Sequence, residues 1–342
     1  MTRKPTCTTQ SLRDAVSACY IHCVMQQISM YDHPVWVVTD TDLARTVLAD
    51  VRFAKDTALA PEHWNARTAG LEPTAAEQMS ITTLDGEPHA RLRKAFAPLF
   101  SAARMRAYYP RIRAIAENLL KALPGEVDLI DDFTTRYPLA VLCELLGIPE
   151  REVDLAIEAC RLMHVDYPAN VPAAMGGFAR LASQATAELR MPEGSTEQDL
   201  HYQIFTILFA GQLTTDLAAG FLVARLIGSD ETADELVRET LREHPPAPFT
   251  LWRFTTTDVE IAGTELPAGS PVLVDLTRVP DLVFGFGPHF CIGAQLAQLE
   301  LKALVEAFRA LYPDARVTAP LSQSSPGGIM GSRLDALPVR LA

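Results

Sequence analysis

The residues best equipped for chemistry lie in one run of ten, Phe284-Gly-Phe-Gly-Pro-His-Phe-Cys-Ile-Gly293. It sets a single cysteine, Cys291, on a glycine-rich turn just ahead of a helix-like stretch, Ala294–Phe308. Gly285, Gly287 and Gly293, with the flat ring of Pro288, strip bulk from the turn and let backbone approach a large planar ligand. Amide N–H groups at a helix start favour thiolate over thiol, and the thiolate is the form that ligates a soft metal or iron. His289 stands two residues before the cysteine, but zinc needs further ligands at finger-like spacings and the chain contains no Cys-x-x-Cys. Cys19 and Cys23 flank His22 at helical spacing, a pattern better explained by packing than by metal.

Five further segments carry polar groups at useful spacing. In Asp85-Gly-Glu-Pro-His-Ala-Arg-Leu-Arg93, His89 and Arg93 are four apart on one helix face and can reach the same anionic group. Ile207–Thr215 combines small Ala210 and Gly211 with the hydroxyl of Thr214, which could pass protons; Gln212 lies close by. Glu239 and Arg242 form an i,i+3 carboxylate–guanidinium pair. Trp252-Arg253 precedes an extended patch, and Asp275-Leu-Thr-Arg278 follows another.

In this order the segments resemble the cytochrome P450 superfamily. Phe284, Gly287, His289, Cys291 and Gly293 match its haem-binding loop, Phe-x-x-Gly-x-His-x-Cys-x-Gly, and the resemblance extends over most of the chain. It implies haem b as cofactor with Cys291 as axial iron ligand. It also implies that Phe284, Gly285, His289 and Gly293 line the loop, that His89, Arg93 and Arg253 hold haem propionates, and that Ala210 and Gly211 leave room on the oxygen-binding face. Thr214 and Gln212 are the catalytic candidates it implies; Glu239 and Arg242 are structural, with Arg278 as third member of their network. Trp64, Ile81, Phe209, Phe249 and Ile329 fall in segments similar to the family's substrate-contact regions.

The chain also departs from the pattern. Leu213 stands where an acidic residue usually precedes the threonine, and leucine cannot relay protons. A stretch that the family carries before the segment at Asp275 is missing, and the intervals from Gly147 to Ala210 and from Thr215 to Glu239 are short, so some helices and the meander are expected to be trimmed. The expected activity is that of a monooxygenase on a hydrophobic or mixed-polarity small molecule in bacterial natural-product biosynthesis, supplied with electrons by ferredoxin and reductase. Two alternatives remain open: a haem-thiolate enzyme that uses peroxide or catalyses a redox-neutral cyclisation, rearrangement or dehydration, and a P450-like helper of a partner enzyme.

The elements that must position these residues read as mainly α with a minor β-sheet region. Apolar recurrence of about 3.6 residues predicts helices over Leu12–Met30, Arg91–Leu123, Thr135–Leu146, Arg151–His164, Ala174–Arg190, Glu197–Ile227, Ala233–Glu243 and Ala294–Leu311. In the last, Leu296, Leu299, Ala303 and Ala307 form the expected apolar stripe. Pro34–Thr39, Thr257–Ile261, Val272–Val274 and Leu337–Leu341 read as extended, with a short helix at Asp42–Ala49. With 342 residues, 48% hydrophobic, and neither linker nor repeat, the chain reads as one P450-like haem domain spanning 1–342. A net charge of −12 argues against nucleic acid or an anionic membrane surface as partner. The absence of a signal-like N-terminus and of disulfide-framework spacing leads to the expectation of a cytoplasmic protein.

Overall fold

The structure, a computed structural model, describes residues 24–30, 33–64, 69–163, 169–187, 189–324 and 331–341. Among these residues the helices are α1 (Thr41–Ala49), α2 (Gly86–Phe96), α3 (Ala102–Lys121), α4 (Arg136–Leu146), α5 (Val153–Leu162), α6 (Val171–Gln184), α7 (Glu197–Leu226), α8 (Ala233–Glu243) and α9 (Ala294–Leu311). The strands are β1 (Met25–Met30), β2 (His33–Val38), β3 (Phe53–Ala54), β4 (Glu126–Asp128), β5 (Arg253–Thr255), β6 (Val259–Ile261), β7 (Thr264–Leu266), β8 (Pro271–Val274), β9 (Arg316–Val317), β10 (Gln323–Ser324), β11 (Arg333–Leu334) and β12 (Pro338–Arg340). The expected mainly helical chain with a minor sheet is what forms. Its described residues gather into two compact units, one drawn from those within 1–90, 247–291 and 326–331, the other from those within 91–246, 292–325 and 332–342.

The first unit is built on a five-stranded sheet in the order β1-β2-β8-β5-β3, with β2 and β8 parallel and the other pairs antiparallel. Strand alternation sorts its core onto two faces. Val35, Val37 and Leu273 join Trp64, Phe249, Trp252 and Phe254 on one side, while Val38, Val272 and Val274 join Val47, Leu48 and Phe53 on the other. Helix α1 starts from Asp40, whose carboxylate accepts the amides of Asp42 and Leu43. The helix expected over Leu12–Met30 is corrected in its described part: Met25–Met30 is a strand, paired residue for residue with β2, so cross-strand pairing overrides the helix-like recurrence. Cys19, His22 and Cys23 lie outside the described residues.

The second unit is organised around α7. A capping box of Thr196 and Asp199 starts this helix, and it runs for 30 residues with buried side chains on all sides, packed by α4, α6, α8 and α9. By length and composition α7 could cross a bilayer, but 61% of its apolar window is buried by protein, as in a core helix. The helix expected over Arg91–Leu123 is two helices instead. Pro98 restricts the residue before it, and Ser101 starts α3 by accepting the amide of Arg104.

Candidate functional site

The cysteine loop of the first unit uses its glycines where L-residues fit poorly. Gly285 and Gly287 hold φ values of 76° and 70°. A Cβ on Gly287 would also lie 3.0 Å from the carbonyl oxygen of Leu48 and 3.3 Å from Cα of Ala49, because the loop rests on the end of α1. The Cys291 amide closes the loop by donating to the Phe284 carbonyl at 2.8 Å, and Phe290 N–H donates to Gly287 at 3.0 Å. Cys291 is left exposed, three residues before α9 begins. Gly293, at the N-cap position of α9 with φ of −87°, needs no left-handed freedom.

Beside this loop lies a cluster of basic groups. His289 and His89 stack with ring centroids 4.0 Å apart. His289 Nε2 is 3.0 Å from Asp85 Oδ1, and the Lys55 amide donates to Asp85 Oδ2 at 2.5 Å. Burial works to raise the Asp85 pKa, but the His289 hydrogen bond and the Lys55 N–H outweigh it and hold the carboxyl below its ordinary value. Burial pushes the His289 imidazole below its usual value against the pull of Asp85. Arg253, only 4% exposed, donates from Nη1 to the Phe53 carbonyl at 2.9 Å, while its Nε has no hydrogen-bond partner among the described residues. Desolvation lowers Arg253 to about 10 and Lys55 to about 7. Arg93 lies in α2, half-buried, one turn after His89.

In the second unit, α7 separates the two catalytic candidates. Residues two apart on an α-helix differ by about 200° in direction. Thr214, on one face, donates its hydroxyl to the Ala210 carbonyl at 2.9 Å. Gln212, on the other, is 4% exposed and donates to Asp216 Oδ2 at 3.1 Å, in a network completed by Thr135 and Arg333. Of the two catalytic candidates, Gln212 is thus held by the buried Asp216, on the face away from Thr214. The space attributed to Gly211 is also taken, since a Cβ there would meet Leu142 Cδ1 at 2.9 Å; Ala210 is exposed.

The remaining candidates are placed as follows. Glu239 pairs with Arg242 at 2.7 Å and with Arg238 at 3.0 Å. Among the described residues Arg278 takes part in no ion pair; it sits exposed in a turn held by Asp275 and Thr277, and Arg238 supplies the third member expected of it. Trp64 and Phe249 are core residues of the first unit, with Trp64 edge-on to Trp252 at 4.9 Å. Phe209 is half-buried and stacks on Phe205 at 5.5 Å, and Ile81 is half-buried in a turn. Ile329 lies outside the described residues.

Comparison with known proteins decides the family. The cytochrome P450 family model matches residues 231–281. A cytochrome P-450 monooxygenase, DoxA, of Streptomyces sp. (strain C5) is 37% identical over 376 residues, covering 90% of this chain and 89% of that protein. The chain belongs to the cytochrome P450 family. The P450 monooxygenase PikC of Streptomyces venezuelae is 31% identical, covering 90% of this chain and 85% of that protein. Among solved structures, this P450 is similar to a protein described as the putative thioether synthase SgvP, with a TM-score of 0.80 and 25% identity over 92% of this chain and 93% of that one. It is therefore a P450-type enzyme, and the family's haem cofactor is implied.

Two buried groups of this P450 escape sequence reasoning. Lys55 follows a two-residue strand, and nothing in its local sequence marks it as 6% exposed. Glu300 is 2% exposed on α9 between Leu296 and Ala303, where burial holds its carboxyl well above the ordinary value; Thr215 Oγ1 lies 3.5 Å away. Its flanking apolar spacing was the available signal.

Proposed function

We propose that this protein is a haem-thiolate monooxygenase of bacterial natural-product biosynthesis, acting on a hydrophobic or mixed-polarity small molecule. The observation that carries this reading is Cys291, exposed at the end of a loop shaped by two left-handed glycines and followed within three residues by α9. The cationic cluster suits the carboxylates of haem b: Arg253 has a buried Nε with no partner among the described residues and lies near His289 and Lys55. In this assignment Cys291 ligates the iron, and His89, Arg93, Arg253 and His289 hold the propionates. Bound there, thiolate-ligated haem supplies redox chemistry at iron.

The rest of the work falls to the chain. Asp85, kept ionised, orients His289 through Nε2. Thr214 holds a proton on Oγ1; to deliver it elsewhere it must leave the Ala210 carbonyl, at a cost of about 1 kcal/mol. The names of the Streptomyces relatives, both monooxygenases, support monooxygenation. Ferredoxin and a reductase are the proposed electron donors.

A second reading keeps the haem and dispenses with the electron chain, using peroxide or a redox-neutral conversion. It is favoured by Leu213, which cannot relay protons, and by Gln212, which is held by Asp216. Turnover with NADPH, ferredoxin and reductase is to be compared with turnover in peroxide and in no oxidant. Product from the electron chain alone rules out the second reading; product without it rules out the first. Reduced protein under carbon monoxide should show the red-shifted thiolate band, and Cys291→Ala should lose it. Protein that never carries haem but co-purifies with a partner enzyme would point to a helper instead.

A further inference from the structure

Strands β3 and β5 pair antiparallel, with Phe53 opposite Thr255 and Ala54 opposite Phe254. One step further in the same register sets Lys55 opposite Arg253, on the same face of the ribbon. Both residues are buried, at 6% and 4% exposure. Like charges facing across a ladder repel, and removal from water makes each cation dependent on a counter-charge.

The nearby carboxylates are engaged elsewhere. Asp85 accepts from the Lys55 backbone at one oxygen and meets His289 Nε2 at the other, 2.5 and 3.0 Å away. Glu72 accepts the hydroxyls of Ser80 and Thr82 at 3.2 and 2.6 Å. Among the described residues no carboxylate comes within 4.0 Å of the Lys55 ammonium or the Arg253 guanidinium. Desolvation and Arg253 together pull Lys55 down to about 7, as expected of a cation awaiting an anion.

We propose that Lys55 is a further carboxylate-binding residue of the cofactor site, forming with Arg253 a buried two-cation clamp for a haem propionate. This assignment rests on the haem-thiolate reading. It makes Lys55 a charge partner of the cofactor, whereas an apolar residue would suit the same buried position in a haem-free protein.

The test is binding of porphyrin to the full chain freed of haem, followed by the Soret absorbance, with haemin and haemin dimethyl ester as probes. Lys55→Met should weaken haemin binding by about tenfold or more and leave the dimethyl ester within about twofold, while Lys55→Arg restores most of the affinity for haemin. The haem-free Lys55→Met protein should melt no lower than wild type. If it does melt lower, Lys55→Gln against Lys55→Arg replaces it in the same comparison. Equal losses for both porphyrins, or unchanged haemin affinity, overturn the clamp. Wild-type protein that binds haemin without the thiolate band, or not at all, overturns the haem-thiolate reading itself.

Discussion

Adding one methyl group to either glycine of the cysteine loop should have unequal effects. At Gly285 (φ 76°) a Cβ meets nothing closer than the His289 carbonyl oxygen at 3.6 Å, so alanine there pays only for the left-handed backbone, about 1–2 kcal/mol. At Gly287 (φ 70°) the same backbone cost applies, and the Cβ also lands 3.0 Å from Leu48 O and 3.3 Å from Ala49 Cα. Those are main-chain atoms at the end of α1, which yield only if the helix end shifts, adding about 1–3 kcal/mol. Gly287→Ala should therefore cost about 2–5 kcal/mol and Gly285→Ala less. All three tryptophans, Trp36, Trp64 and Trp252, belong to the first unit, so urea unfolding followed by tryptophan fluorescence reads the unit that contains the loop. Haem content after expression gives a second readout, falling further in Gly287→Ala. A Gly287→Ala midpoint equal to or above that of Gly285→Ala would refute the close approach of loop and helix.

Three other outcomes follow from buried charge. In haem-free protein Lys55 titrates at about 7 folded and at 10.5 unfolded, among Arg253, Glu72, Asp85 and His289. Between those values the unfolded chain binds more protons, so the stability of wild type relative to Lys55→Met should climb with pH by up to roughly 1.4 kcal/mol per unit; a flat difference would contradict the burial of its charge. Glu300 is the opposite case, a carboxyl whose pKa burial raises well above 4.5, so its contribution to stability is lost as pH rises past the unfolded value. Glu300→Gln should accordingly melt above wild type at pH 7 and close to it at pH 4 by helical circular dichroism, and the reverse order would refute a protonated Glu300. Arg333→Met removes a guanidinium 3.3 Å from the buried Asp216; with Arg333 about a third exposed, the loss should be about 1–3 kcal/mol, and Asp216→Asn in the same background should recover part of it.

What was legible in sequence is what depends on local chemistry. The turn of the cysteine loop requires glycine wherever it occurs, and the caps of α7 and α8 are side chains reaching three residues ahead. What depends on distant partners was not. β1 is a strand because β2 lies beside it, and Lys55 faces Arg253 only through a pairing across some 200 positions, shown by Phe53 opposite Thr255. Glu300 is a different lesson: a carboxylate flanked by apolar residues reads as solvent-facing, yet Leu296, Glu300, Ala303 and Ala307 share one helix face, so the stripe is centred on it. Gln212 was separable from Thr214 by helix geometry alone, since two steps along α7 turn a side chain to the far side.

The central parallel pair of the first unit also sets a timetable for folding. Val38 of β2 pairs with Val274 of β8, which lies 236 residues further along the chain (274 − 38). At about 5–20 residues per second, the ribosome takes roughly 12 to 47 s to supply the partner strand. During that interval the hairpin of β1 and β2 carries Val35, Val37 and Val38, all 0% exposed in the finished fold, without the neighbour that covers them. Residues Arg91–Pro246, by contrast, are one contiguous stretch of the second unit and can pack as they emerge. Expression yield should thus be limited by the nascent hairpin, which makes slower growth temperature or chaperone supply more effective than changes to the helices.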